Sequence, residues 1–170
     1  MSPFNIRSMR EDAASIFESS VKAVDAEQCV LRFVSLDGDS LKVGEEESVD
    51  LSDVDEILVV GTGKASPRMA VALESVLGDR ISRGVINTKY EHAEPLDSIE
   101  IVECGHPVPD EAGVEGTNRI LDLLEGTNER TLVICLTSGG GSALMPSPSD
   151  GISLEEKQET TRVLLGCGAN

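Results

Sequence analysis

Ile57-Leu58-Val59-Val60 runs without a break into Gly61-Thr62-Gly63-Lys64-Ala65-Ser66-Pro67. A continuous apolar run rich in β-branched residues marks a strand buried on both faces. Met69, Val71, Ala72, Val76 and Leu77 then recur at helical spacing, and Gly78 ends the pattern. Strand, glycine turn and helix form the first half of a βαβ unit. Outward from it, Gly84–Thr88, Ser98–Cys104 and Thr131–Thr137 read as three more strands, the last apolar throughout. Gly105–Asp110 is a loop stiffened by Pro107 and Pro109, with Asp110 placed to cap the next helix. That helix spans 111–125, with Ile120, Leu121 and Leu124 expected inward. A last helix, Ser153 to Leu165, opens with a Ser153–Glu156 capping box, and Gly166 is its expected terminator. Upstream, residues 7–24 carry Met9, Ala13, Ile16, Phe17, Val21 and Val24 at the spacing of an amphipathic helix. Leu36-Asp37-Gly38-Asp39 reads as a turn between two short extended pieces. Residues 45–56 hold seven acids in twelve positions and read as a solvated surface loop. Strands alternating with helices predict an α/β fold with a mostly parallel sheet covered on both faces. Four strands make a thin sheet, so part of a larger fold is expected.

The chain has 170 residues, 31 of them acidic and 14 basic, for a formal charge of −17. Phosphate backbones would be repelled, which excludes nucleic acid as a partner. Aromatic residues are 2% of the chain, only Phe4, Phe17, Phe33 and Tyr90, too few for a stacking platform. No apolar run approaches the roughly 18 residues of a membrane span, and Met1–Arg10 has no signal-like apolar core. Such a charge destabilises a small domain by self-repulsion in dilute buffer. At about 1 M salt the Debye length falls to roughly 3 Å and most of that repulsion is screened. A salt-requiring, halophilic protein of a saline cytoplasm is the expectation. Cys29, Cys104, Cys135 and Cys167 are too far apart for a CxxC pair or a zinc knuckle. Reduced cytoplasmic thiols are expected, with Cys135 as a small core residue.

In open α/β sheets the ligand sits beyond the carboxyl ends of the strands. Residues 61–66, 104–110 and 137–144 occupy that position, and their convergence says more than any one of them. Gly61 and Gly63 permit a sharp turn, the following helix offers backbone N–H groups to an anion, and Lys64 adds a charge. The spacing is neither that of a Walker A loop nor a complete GxGxxG, so alone it also fits a tight turn with a solvent-facing lysine. Ser138-Gly139-Gly140-Gly141-Ser142 is more specific, because three glycines after a buried strand are entropically costly. The run reads as an anion nest for a phosphate or a carboxylate, with a flexible connector as the plain alternative. It does not match GxSxG, which argues against a serine nucleophile. His106 is placed to contact a substrate oxygen, and His92 reads as surface.

The stretches VVGTGKAS (59–66), GHPVPDEAG (105–113), LTSGGGSAL (136–144) and LLGCGAN (164–170) resemble, in order and spacing, the glycerate 2-kinase family with a MOFRL-type C-terminal domain. The resemblance implies a Rossmann-like αβα sandwich followed by a smaller α/β domain, with the active site in the cleft between them. It implies phosphorylation of D-glycerate by ATP to 2-phosphoglycerate, with Mg²⁺ accompanying the nucleotide. By that resemblance Lys64 belongs to the catalytic cleft, Ser138–Ser142 line it, and His106 is a lesser orienting group. Some relatives carry the label hydroxypyruvate reductase, but this sequence lacks a full dinucleotide fingerprint. Family members are much longer, so residues 1–170 are expected to be the N-terminal, incomplete domain, with the C-terminal domain and its further catalytic groups absent. An inactive remnant is the third reading, and a homo-oligomer stays open.

Overall fold

A computed structural model describes residues 5–168. Phe4 and the end of the LLGCGAN stretch, Ala169 and Asn170, lie outside the described residues. Helix α1 (Ile6–Ala23) and helix α2 (Ala26–Phe33) open the chain, the second capped by Asp25, whose side chain accepts from the Gln28 N–H. An antiparallel meander follows, β1 (Val34–Asp37), β2 (Ser40–Val43) and β3 (Glu47–Asp50). The turn at 36–39 is as expected. The acidic stretch is not a loop: it holds β3, a 3-10 turn at Leu51–Asp53 and the start of the next strand. Counting its acids hides three apolar residues, Val49, Leu51 and Val54, that pack in or on the core. Val49 packs on the core and Leu51 is buried, while the carboxylates point to water.

The main sheet is parallel, formed by β4 (Glu56–Thr62), β5 (Arg83–Lys89), β6 (Ile99–Cys104) and β7 (Thr131–Thr137) in the order β6-β5-β4-β7. Helix α3 (Ser66–Leu77) joins β4 to β5 and ends at Gly78, as predicted. Helix α4 (Glu111–Leu124) carries the chain from β6 across to the far side of β4. The winding therefore reverses between β4 and β7, the topological switch point where α/β sheets bind ligands. Helix α5 (Gly141–Leu144) is one turn, and α6 (Leu154–Cys167) begins with the predicted Ser153–Glu156 capping box. It runs through Gly166 and ends at Gly168, which takes the left-handed conformation.

Period-two alternation along β4 divides the core. Ile57 and Val59 face α3 and the meander, packing with Leu73, Leu77, Leu41 and Leu51. Leu58 and Val60 face α4, packing with Val85, Ile120 and Leu123. Leu121, expected inward, is exposed, because the sheet-facing stripe of α4 runs through Gly113, Gly116, Ile120 and Leu123. Strand β7 departs from the sequence reading. Its Leu132, Ile134 and Leu136 cover the α3 side, but Val133, Cys135 and Thr137 on the other face are exposed. Cys135 is therefore a surface thiol, since α4 covers β5 and β6 and leaves this edge strand bare. Helix α1 is amphipathic but has no buried residue, and Ile16, Phe17 and Val24 lie open to solvent. No helix among the described residues is long and apolar enough to cross a membrane.

Thiol accessibility checks this arrangement. Cys135 and Cys167 should react with a thiol reagent in the native protein. Cys104, fully buried and with its thiol pushed up to about 11 by burial, should react only on unfolding. Protection of Cys135 would show its face of β7 to be covered.

Candidate anion site at the switch point

Two glycine turns are bonded to each other across the end of the sheet. The Ser138 N–H donates to the Thr62 carbonyl (3.0 Å), and the Lys64 N–H donates to the Gly139 carbonyl (3.1 Å). Ser138 Oγ accepts from the Ala65 N–H at 3.0 Å. Ser66 Oγ, fully buried, lies 2.8 Å from the Thr62 carbonyl, 3.0 Å from that of Leu136 and 3.2 Å from Ser138 Oγ. Gly63 has φ +131, and a Cβ there would sit 2.2 Å from Ser138 Oγ. The glycines of the first turn thus let the two turns close on one another.

A donor count separates the two turns. The N–H of Gly63 goes to the Asn87 carbonyl, that of Lys64 to Gly139, that of Ala65 to Ser138, and that of Ser66 to Gly63 at 3.4 Å, and Pro67 has none. Through Pro67 the start of α3 has no amide left for an anion, and of its first-turn amides only the Arg68 N–H has no acceptor among the described residues. In the second turn, the N–H groups of Gly139, Gly140, Gly141 and Ser142 have no acceptor among the described residues. These four consecutive N–H groups are open donors at the end of a strand. Gly140, Gly141 and Ser142 edge a cleft of about 390 Å³ lined also by Thr62, Thr137, Ser138 and Met145.

The third turn meets the second at Gly140, which has φ +98. A Cβ on Gly140 would lie 2.9 Å from His106 Cδ2 and Nε2 and 3.4 Å from Lys64 Cε. Lys64, His106 and the glycine-rich turn therefore converge, as the three loops were expected to. Asp110 caps α4 as predicted, accepting the Gly113 N–H at 3.0 Å, and Tyr90 Oη donates to its other oxygen at 2.8 Å. That bond favours the protonated phenol and raises Tyr90 above its ordinary range. Of the residues picked from sequence, Ser138 is brought to the site with its hydroxyl turned into the brace, and Gly61 lies buried within β4. Gly139 and Ser142 face solvent.

Burial holds the His106 imidazole below its ordinary range, and the charges of Lys64 and Lys89 push the same way, followed by His92. These causes all favour the neutral imidazole over the imidazolium. Sequence reasoning missed Lys89. It ends β5 beside Cys104, with no glycine motif to mark it, and only the parallel register brings it near the 105–110 loop. Neither Lys64 nor Lys89 forms an ion pair among the described residues, despite 31 acids in the chain. Lys64 and His106 beside Gly140, Lys89 near the 105–110 loop and the four open amides of 139–142 make this end of the sheet a candidate anion site. A larger groove of about 690 Å³ opens at the opposite end of β5 and β6, but its Arg83 and Arg119 are paired with Glu56, Glu100 and Glu115.

An α/β domain with a candidate anion site at its switch point is the class that fold and geometry define. The chain belongs to the family described as a domain of unknown function (DUF4147), which its residues 12–170 match. It is 40% identical over 168 residues to the D-glycerate 2-kinase of Thermotoga maritima, a match covering 98% of this chain and 37% of that protein. It is 37% identical over 162 residues to the glycerate 2-kinase of Pyrococcus horikoshii, covering 95% of this chain and 36% of the relative. A crystal structure of a Pyrococcus horikoshii OT3 protein superposes with a TM-score of 0.81 at 35% identity, over 100% of this chain and 37% of the other. The chain spans little more than a third of the length of these relatives.

The electrostatic arrangement is testable by titration of the His106 ring signals in NMR. The midpoint should fall below 6.5, and Lys64→Met should raise it, because removing a nearby positive charge favours the imidazolium. An unmoved midpoint in Lys64→Met would place the ammonium away from the ring.

Proposed function

We propose that this chain carries the anion-binding part of a glycerate 2-kinase, which transfers the terminal phosphoryl group of ATP to the 2-hydroxyl of D-glycerate. One observation carries the reading: Lys64, His106 and the open amides of Gly139–Ser142 meet at the switch point of a sheet shared with glycerate kinases. Phosphoryl transfer is mostly positioning and charge stabilisation, which is what such a cluster supplies. Lys64 would stabilise charge on the transferring group. The 139–142 amides would hold a carboxylate or a phosphate. His106, neutral, would orient the acceptor hydroxyl and take its proton. Three acidic or imidazole groups that could hold a metal do not gather among the described residues, and Asp110 is spent on Tyr90 and Gly113. Mg²⁺, held largely by phosphate oxygens and water, would enter with the nucleotide.

A dinucleotide-dependent reductase is less well supported. It would need the start of α3 as a pyrophosphate cradle, and the amides of Gly63, Lys64, Ala65 and Ser66 are already bonded there. The domain assignment, an incomplete Rossmann-like N-terminal part of a longer enzyme, is supported by the share of each relative that this chain matches. Four unpaired cysteines are consistent with a reducing cytoplasm. The −17 charge supports a protein adapted to salt.

Two measurements test these readings. An ADP-release assay with D-glycerate, run on this chain fused to the remaining part of the Thermotoga maritima relative, should show turnover. Lys64→Ala should lower kcat by about 10²-fold or more, the usual cost of removing one preorganised charge donor, while the melting temperature barely changes. Full activity in that variant would end the proposed role of Lys64. Separately, the melting temperature should climb steadily between dilute buffer and 2 M KCl, and a flat profile would overturn the halophilic reading.

A further inference from the structure

We propose that Asn87 is the positioning residue that sets the spacing of Lys64, His106 and the 139–142 turn. The proposal rests on the kinase reading for the reaction it serves, but not for the geometry it explains. The three site turns follow β4, β6 and β7. Strand β5 lies between β4 and β6, and its Asn87 touches the chain segment behind each turn. Its main-chain carbonyl accepts the Gly63 N–H at 3.1 Å, holding the Lys64 turn. Its Nδ2 donates to the Gly113 carbonyl at 3.2 Å, in the first turn of α4 directly after the His106 loop. The second Nδ2 proton goes to the Leu144 carbonyl at 2.8 Å, at the end of the one-turn helix that follows the glycines. Thr88 reinforces the first of these ties, its Oγ1 donating to the Gly63 carbonyl at 3.1 Å.

The side chain is fully buried, and its Oδ1 has no hydrogen-bond partner. An orphaned amide oxygen in a core is a cost that an apolar residue of similar volume would avoid. The two N–H bonds explain its presence, since no apolar side chain could hold two carbonyls from different loops. The orphan oxygen also sets how deep α4 sits. A Cβ on Gly116 would lie 2.2 Å from Oδ1, so the helix reaches this depth only because residue 116 has no side chain. The carboxamide is both tie and spacer between α4, with the His106 loop at its head, and the sheet edge that bears Lys64.

The test uses the 170-residue chain with inorganic phosphate as the probe. Asn87→Ser keeps at most one of the two donations. It should weaken phosphate binding, read from the amide shifts of Gly139–Ser142, by about tenfold, the equivalent of one buried hydrogen bond. It should also raise the His106 midpoint toward its ordinary value as Lys64 and the ring separate. Leu77→Ala, a core truncation at the far end of α3, should lower the melting temperature without moving that midpoint. If Asn87→Ser does not fold, Gly116→Ala asks the same question from the helix side. The new methyl must push the carboxamide off its carbonyls, and the His106 midpoint should rise in the same direction. A folded Asn87→Ser or Gly116→Ala protein with native phosphate affinity and a native midpoint would overturn the proposal. If the midpoint moves as expected while the fused protein fails to phosphorylate D-glycerate, the positioning role stands and the kinase reading falls.

Discussion

The site depends on two backbone hydrogen bonds, Ser138 to Thr62 and Lys64 to Gly139, that fasten the turn after β4 to the turn after β7. They extend the parallel pairing of the two strands, which already aligns Thr62 with Thr137. Because the bonds run through main chain, side-chain bulk at the seam is intolerable, and Gly63 answers that constraint. One of these bonds takes the Lys64 donor, and Asn87, Ser138 and Gly63 take those of Gly63, Ala65 and Ser66. The charge-receiving role therefore passes to the second turn, whose amides have nothing else to do.

Electrostatics divide the molecule in a way the net charge conceals. Acidic side chains spread over the surface, and several arginines are held in exposed pairs such as Arg130 with Asp55 and Arg68 with Glu27. Pairs of that kind contribute little to stability. Lys64 and Lys89 stand apart at the strand ends, without partners and close enough to His106 to depress its basicity. A polyanionic ligand approaching this protein meets repulsion at long range and attraction only at the cleft. Salt weakens the first more than the second, since short-range contacts inside a cleft are screened less.

The strands, α3, α4 and α6 were legible because each carries a strong local signal: apolar runs at 57–60 and 131–137, a glycine stop at 78, a capping box at 153. The convergence of the three turns was legible too, because it follows from the rule for open α/β sheets. What stayed hidden depends on neighbours. Strand β3 lies in a stretch whose charge count masks Val49 and Leu51. Cys135 sits in an apolar run, yet only one face of β7 is covered. Leu121 and Leu123, about 200° apart around α4, flank the Ile120–Leu124 stripe on opposite sides, and only the placement of the sheet decides which of them is buried. Within the site, Lys64, His106 and the glycines were visible as motifs, whereas Lys89 and Asn87 were not. Both lie in a strand with no motif, and their importance comes from strand order and register.

The uncovered face of β7 gives the acidity a second role. A strand at a sheet edge, with unused backbone donors and acceptors and an oily flank at Val133, is a template to which any extended peptide can add. Like charge on every copy keeps such encounters rare in dilute buffer. High ionic strength, while relieving strain inside each molecule, also lowers that mutual barrier and strengthens apolar adhesion. Under the salt adaptation proposed above, conditions that favour folding and conditions that favour staying dispersed pull in opposite directions.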